Sequence, residues 1–100
     1  NIIMNMNMIM QQAQKMQKDI KNAQEEVEKQ TFTSKQPLVE VEVNGKKQIT
    51  KIEINKDIQS DEIEMLEDMI LLATNEAIEK ATKELEKKLG KFGQGLSGLL

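Results

Sequence analysis

A seven-residue apolar repeat near the start of the chain constrains the fold more than any other feature. Neither glycine nor proline interrupts the repeat, and its steps alternate between three and four residues. This is the period of a helix that presents one narrow apolar seam. It predicts a helix from about Asn5 to about Lys29, roughly 37 Å long at 1.5 Å per residue. The seam consists of Met6, Ile9, Ala13, Met16, Ile20, Ala23 and Val27.

The middle of the chain changes to a two-residue apolar period. In residues 39–43 valine alternates with glutamate, and in residues 50–54 threonine and isoleucine alternate with lysine and glutamate. Alternation of this kind, with many β-branched residues, predicts two half-buried antiparallel strands. Asn44-Gly45 lies between them and is expected to supply the positive φ angles of a hairpin turn.

The hairpin register and the number of strands stay open at this point. A loop over residues 44–47 would set Val41 opposite Thr50, and a two-residue loop would keep the same faces in another register. Residues 31–33 have the composition of a third strand, which Pro37 would end. The sequence therefore predicts a sheet of two or three strands.

A second long helix is predicted from Asp61 to Leu89. Ser60 or Asp61 can cap its start, and Gly90 can end it in the left-handed conformation. The chain is therefore expected to be an α+β protein: long helix, small antiparallel sheet, long helix. The main apolar stripe of the second helix consists of Ile63, Leu66, Ile70, Ala73, Ala77, Ala81 and Leu85.

The second helix has more apolar surface than one neighbour can cover. Met65, Met69 and Leu72 form a patch about 100° around the helix from the main stripe. This patch either covers more of the chain's own sheet or forms a subunit contact. A 100-residue chain buries little surface by itself, and methionine is common in subunit contacts. We therefore expect an elongated homodimer, with residues 1–89 as its single domain and residues 90–100 as a flexible glycine-rich tail.

The charges are unevenly distributed, although the chain carries a net charge of -3. Residues 61–79 hold seven acids and no lysine, whereas residues 80–91 hold five lysines and two acids. The simpler interpretation of such lysines is a solvated helix face; the other is a set of phosphate contacts. Without arginine or aromatic platforms, DNA binding would use the duplex backbone with little base reading. The candidate DNA-binding residues are Lys15, Lys18, Lys21, Lys80, Lys83, Lys87 and Lys88.

Several chemistries are excluded because the chain has neither cysteine nor histidine. Zinc sites of those residues, disulfides and Ser-His-Asp triads cannot form. The longest apolar run, residues 69–73, is too short to cross a bilayer. Four methionines at two-residue spacing would point to different sides of a helix, so core packing or helix fraying is favoured over a copper site: Met4, Met6, Met8 and Met10. We expect no enzymatic activity, no cofactor or metal, no small-molecule substrate and no membrane association.

Several segments together resemble one bacterial family. The methionine-rich start, followed by Gln-Gln-Ala-Gln-Lys-Met-Gln over residues 11–17, resembles the N-terminal signature of the YbaB/EbfC nucleoid-associated proteins. Residues 38–54 and 65–77 are similar to that family's hairpin and second helix, and the glycine- and leucine-rich tail is similar as well. Residues 34–37, Ser-Lys-Gln-Pro, replace a segment that is usually glycine-rich.

The resemblance implies a homodimer whose sheets join at the centre while its helix pairs project like tweezers around double-stranded DNA. It also implies a cytoplasmic, nucleoid-associated role in DNA compaction or gene expression. The sequence thus favours a non-enzymatic, dimeric protein that binds the DNA backbone with low sequence specificity. The alternative is a helical adaptor without DNA binding, whose exposed seam or methionine patch docks a partner helix; the acidic net charge favours it.

Overall fold

The computed structural model describes residues 2–93 and confirms the predicted order of elements. A long helix, a three-stranded antiparallel sheet and a second long helix follow one another, so the third strand does form. Short 3-10 turns at Ser60–Glu62 and Gly90–Phe92 flank the second helix. The main elements are α1 (Ile2–Glu28), β1 (Thr31–Lys35), β2 (Val39–Asn44), β3 (Ile49–Ile54) and α2 (Ile63–Leu89).

The central strand of the sheet is β2, which pairs with β1 on one side and β3 on the other. Val41 lies opposite Ile52, so the Val41–Thr50 pair predicted for a loop over residues 44–47 is wrong by two positions. An irregularity between Glu42 and Val43 shifts the ladder by one residue near the turn. Composition carries no signal for such a bulge, so the register could not be read from the alternation alone.

The hairpin turn obtains its shape from residues other than those predicted. The positive φ angle, 65°, belongs to Lys47 and not to Asn44 or Gly45. The side-chain oxygen of Asn44 accepts hydrogen bonds from the backbone N–H groups of Lys46 and Gln48, at 2.9 and 3.1 Å. A three-residue loop that ends in a left-handed residue is a common hairpin form. Asn44 therefore shapes the turn through its side chain.

Gly45 is required by close packing against α1. A Cβ atom at this position would lie 1.9 Å from the carbonyl oxygen of Val27 and 2.7 Å from the Cα of Glu28. The backbone N–H of Gly45 also donates a 3.1 Å hydrogen bond to the carbonyl of Gln30. The hairpin tip is thus seated directly on the end of the first helix.

The ends of α2 differ from the predicted caps. At the start, the backbone N–H of Gln59 donates to the carboxylate of Glu62 at 2.9 Å, in place of a cap by Ser60 or Asp61. At the end, Gly90 remains right-handed, with φ at -57°, and the left-handed residue is Gly93, with φ at 107°. The chain therefore runs on as a 3-10 turn through part of the predicted tail, while residues 94–100 lie outside the described residues.

The core forms where α2 crosses β1 and β2. Three alanines on the inner face of the helix let it approach the valines of β2 closely. Ile63 of the predicted stripe is instead 48% exposed, because it lies on the flank of the helix. The buried cluster comprises Val39, Val41, Val43, Leu66, Ala73, Ala77 and Ala81.

A buried polar contact fixes α2 against β1. Ser34 is only 4% exposed, and its hydroxyl donates to the carboxylate of Glu76 at 2.7 Å. The side-chain amide of Gln36 donates to the same carboxylate oxygen at 3.2 Å. Farther along the helix, the ammonium of Lys80 donates to the carbonyl of Thr33 at 2.6 Å. The flank of α2 that bears these residues therefore faces β1.

Strand β3 is left uncovered by α2 and is exposed at every position. Ile52 and Ile54 lie opposite Val41 and Val39 on the helix side of the sheet, yet they remain 45% and 43% exposed. The prediction that this strand is half-buried is therefore wrong for a single chain, because the helix covers β1 and β2 instead.

Within the described residues, the two helices meet near their C-terminal ends. Ala23 and Val27 of α1 and Leu89 of α2 are buried, and Lys88 bridges to Glu26 at 3.5 Å. Residues 5–18 are exposed throughout, and the described chain measures 76 × 20 × 14 Å. The predicted core packing of the methionines at positions 6 and 10 is wrong for a single chain, since both are more than half exposed. The N-terminal half of α1 therefore projects beyond the rest of the molecule.

Candidate nucleic-acid interface

The projecting helix α1 carries one lysine face. Lys15, Lys18 and Lys21 fall within an arc of about 120°, opposite the apolar seam, at 100° per residue. All three side chains are exposed, and none forms an ion pair within residues 2–93. The structure thus confirms that this face meets solvent, with its ammonium groups available to a ligand.

The lysines predicted on α2 differ from one another in their surroundings. Lys83 forms an ion pair with Glu79 at 3.2 Å, and Lys88 forms one with Glu26 at 3.5 Å. The ammonium of Lys80 donates a hydrogen bond to the carbonyl of Thr33. Lys87 is exposed and has no partner in the described part of the chain. Charge already satisfied by a neighbouring carboxylate adds less to the attraction of a phosphate, so Lys87 is the strongest candidate on this helix.

Two further lysines, which the sequence analysis did not select, lie beside these residues. Lys29 follows the last turn of α1, and Lys91 lies in the 3-10 turn after α2. The ammonium of Lys91 lies 5.1 Å from the centre of the Phe92 ring, a cation–π distance. Lys91 was missed because Gly90 predicted that the helix ends before it.

The structure separates the charges in space. We call residues 2–29 and 81–93, which lie beyond the Lys80–Thr33 contact, the arm, and residues 30–80 the body. The arm holds eight lysines and six acids, whereas the body holds six lysines and eleven acids. The molecule is 76 Å long and the screening length at 0.1 M salt is about 10 Å, so the two regions act on a ligand separately. A chain that is negative in sum is therefore positive along its arm.

Two apolar surfaces stay exposed on the body. Met65 and Leu72 are about half exposed, while Met69 packs partly against the chain's own core. At helical spacing these three residues share the flank of α2 that faces β1, because Leu72 lies one turn before Glu76. The other surface, which we call the β3 surface, consists of Ile49, Ile52, Ile54 and, on the opposite flank of α2, Ile63.

The sequence was compared with known protein families. Residues 3–96 match the model of the YbaB/EbfC DNA-binding family. The chain belongs to this family. The match confirms the resemblance inferred from the methionine-rich start, the hairpin and the second helix.

Proteins similar to this YbaB/EbfC chain are named nucleoid-associated proteins. One from Lactococcus lactis subsp. cremoris (strain MG1363) is 43% identical over 97 residues, which cover 94% of this chain and 98% of the relative. One from Ruminiclostridium cellulolyticum is 41% identical over 105 residues, covering 95% and 85%. One from Acinetobacter baumannii (strain ACICU) is 40% identical over 99 residues, covering 93% and 91%. Among the described residues, neither helix has the length and hydropathy needed to span a membrane.

Proposed function

We propose that this chain is a nucleoid-associated protein that binds duplex DNA through the lysines of its arm. Membership of the YbaB/EbfC DNA-binding family supports the DNA ligand. The single observation that supports the arm as the contact surface is the separation of charge, with eight lysines against six acids there and the opposite balance in the body. The arm attracts the polyanion, and the acidic body keeps it at a distance.

The contacts proposed here are to the phosphate backbone and carry little sequence information. Lysine offers a compact point charge, whereas reading guanine requires the planar fork of arginine, which this sequence lacks. The sequence has two phenylalanines and no tyrosine or tryptophan, so stacking on unpaired bases has little support. Duplex DNA of any sequence is therefore the expected ligand, at low to moderate salt.

The proposed binding unit is a homodimer. Within residues 2–93, one arm presents four predicted lysines without a partner, which give weak electrostatic binding, and two arms on one duplex would double their number. The β3 surface forms the contact between the two copies, because burying its exposed isoleucines on an edge strand is favourable. A two-fold axis beside β3 would bury the same residues of both copies.

The patch of Met65, Met69 and Leu72 is the rival position for the subunit contact. Ile52→Lys should convert the dimer to a monomer in sedimentation equilibrium, while Glu53→Lys, on the other face of the same strand, should leave the mass unchanged. Met65→Lys tests the rival patch in the same way. A monomer produced by Met65→Lys alone, with Ile52→Lys still dimeric, would move the contact to the rival patch.

Matched charge reversals test the DNA-binding surface. Lys18→Glu with Lys21→Glu changes the arm, and Lys46→Glu with Lys56→Glu makes the same change of net charge in loops of the body. We expect the arm variant to weaken binding of a labelled duplex at least tenfold in anisotropy titrations, and the body variant to weaken it less than threefold. Equal losses would show that net charge matters and that the arm does not.

Besides the acidic net charge, the exposed seam on α1 favours the adaptor hypothesis. An adaptor would bind a partner helix without help from the lysine face. If the wild-type chain fails to bind duplex DNA at 50 mM salt, the adaptor becomes the better account. Salt-sensitive duplex binding that is stronger than binding to single strands or RNA supports the DNA-binding function.

A further inference from the structure

The seam on the projecting half of α1 is an apolar surface that the DNA-binding proposal does not use. Met6, Ile9 and Met16 are 58%, 63% and 41% exposed. Over residues 5–18 every side chain of α1 is exposed, so nothing within residues 2–93 covers this part of the helix. The same seam is buried farther along, where Ala23 and Val27 pack against the end of α2.

The spacing of the exposed section is that of a helix–helix contact. Steps of three and four keep the seam facing one partner helix over its whole length, whereas a helix on a sheet surface has a wider stripe. The positions that would flank such a contact are uncharged in this section: Asn5, Met10, Gln12 and Gln17. Two copies can therefore approach without repulsion between like charges.

We propose that the exposed seam pairs with the same seam of a second copy, so that dimers associate arm to arm. The charge pattern favours this occupant. The flanks are neutral, and the lysine face of Lys15, Lys18 and Lys21 points away from the contact, so identical arms meet without placing ammonium groups together. A partner of opposite charge would find no charged flank to recognise on this section.

The contact is expected to be weak for one pair of arms. It spans about two heptads, and isolated helices of that length are marginal in water. Here the helix is already held by its junction with α2 and the sheet, so pairing does not require the arm to fold. Several dimers on one DNA molecule would strengthen it through effective concentration.

The consequence for DNA rests on the proposed function. Because the lysine face lies opposite the seam, paired arms would present lysines on two outer sides. Two duplexes could then be held by one pair of arms, and dimers on separate segments would bridge them. Bridging of this kind brings distant DNA segments together without any base-specific contact.

Self-association without DNA is the first test. Sedimentation velocity of the wild-type chain over a range of concentrations should show a second step above the dimer. Ile9→Glu with Met16→Glu should remove this step and leave the dimer, while Gln11→Glu with Gln14→Glu, with the same charge change outside the seam, should keep it. Thermal unfolding should be similar for both variants, because these side chains are exposed. If the seam variant follows the wild-type mass distribution, or the wild type shows no second step, the proposal is overturned.

Thiol cross-linking identifies the occupant, since the native chain has no cysteine. Ala13→Cys in the seam should cross-link into species larger than the dimer, much faster than Gln11→Cys on the opposite face. Cross-linking that appears only after removal of residues 94–100 would make the chain's own tail the occupant. If anionic vesicles protect this thiol and no cross-link forms, the occupant of the seam is a lipid surface. If cross-linking is confined to the dimer, the contact lies within one dimer. Each of these three results overturns the proposal.

The two proposals can fail separately. Arm pairing is measured without DNA, and duplex binding is measured at protein concentrations below the second association step. If the seam variant binds one duplex at least as well as the Gln11→Glu, Gln14→Glu variant of equal charge but no longer captures a second, labelled duplex on beads, both proposals stand. If arm pairing is present but duplex binding is absent, only the DNA-binding function fails.

Discussion

Replacing Gly45 by alanine tests the junction that holds the arm on the body. The new Cβ would lie 1.9 Å from the carbonyl oxygen of Val27, 2.4 Å from its carbonyl carbon and 2.7 Å from the Cα of Glu28. Ordinary contacts begin near 3.4 Å, so either the hairpin tip or the end of α1 must move by about 1 Å or more. All three neighbours are backbone atoms, which cannot rotate away as the end of a side chain can.

The expected loss of stability can be estimated from the contacts that this movement weakens. Val27 is 1% exposed, and complete burial of a valine is worth roughly 1.5–3 kcal/mol. The hydrogen bond from Gly45 to Gln30 adds about 1 kcal/mol. Loss of most of both contributions predicts a decrease of about 2–3.5 kcal/mol in the free energy of unfolding. At roughly 4–8 °C per kcal/mol for a chain of this size, Tm should fall by about 10–25 °C.

Gly90→Ala is the matched control for this measurement. Gly90 has a right-handed helical φ of -57°, and no atom of the described residues lies within 4 Å of its added Cβ. Alanine there should raise the unfolding free energy by about 0.4–1 kcal/mol, through lower entropy of the unfolded chain. Thermal and urea unfolding, followed by circular dichroism at one protein concentration, should therefore shift in opposite directions. A Gly45→Ala chain as stable as the wild type would refute the close packing of the hairpin on α1.

Two further comparisons test the buried contact between α2 and β1 and the lysines of the arm. Ser34→Ala should lower the unfolding free energy by about 1–3 kcal/mol, because the buried hydroxyl donates to Glu76, and urea titration against exposed Thr33→Ala checks this. An unchanged midpoint for Ser34→Ala would contradict it. Lys18→Ala should reduce the salt slope of duplex binding by about one per protomer, and Lys83→Ala, already paired with Glu79, by clearly less. Equal reductions would show that the ion pair opens on DNA.

Local periodicity was sufficient to predict the elements of the fold. The uninterrupted steps of three and four predicted α1, and the two-residue alternation predicted β2 and β3. Their order followed directly, because each pattern is set by side-chain geometry within one element. Strand β1 was predicted from composition and not from periodicity. It is held by its pairing along β2 and by the burial of Ser34.

Contacts between elements decided what the sequence left open or predicted wrongly. The positive φ angle lies at Lys47, the last residue of a three-residue loop, whereas Gly45 is required for close packing against α1. The two-residue alternation predicts that the isoleucines of β3 are buried. They are exposed in a single chain because α2 packs on β1 and β2. Periodicity indicates that a strand or helix has an apolar face, but it does not indicate which element covers that face.

Helical spacing correctly predicted that the lysines of α1 share one exposed face, and their contact with DNA stays a prediction. The pairing of the other lysines could not be predicted. The ion pairs of Lys83 and Lys88 depend on which acid lies within about 4 Å, and for Lys88 that acid belongs to the other helix. Such a contact is set by the packing of α1 on α2. The sequence could therefore name the lysines without ranking them.

The central claim is that lysines of the two arms of a dimer hold the phosphate backbone, and the salt dependence of duplex binding tests it most directly. Each arm presents four predicted lysines that have no partner among the described residues: Lys15, Lys18, Lys21 and Lys87. If a dimer used all eight, a plot of log K against log salt would slope near -7, at roughly -0.9 per phosphate contact. The account predicts a slope between about -5 and -7 for the wild type and a markedly shallower one for Lys18→Glu with Lys21→Glu. A slope near zero, or the same slope for both proteins, would contradict it.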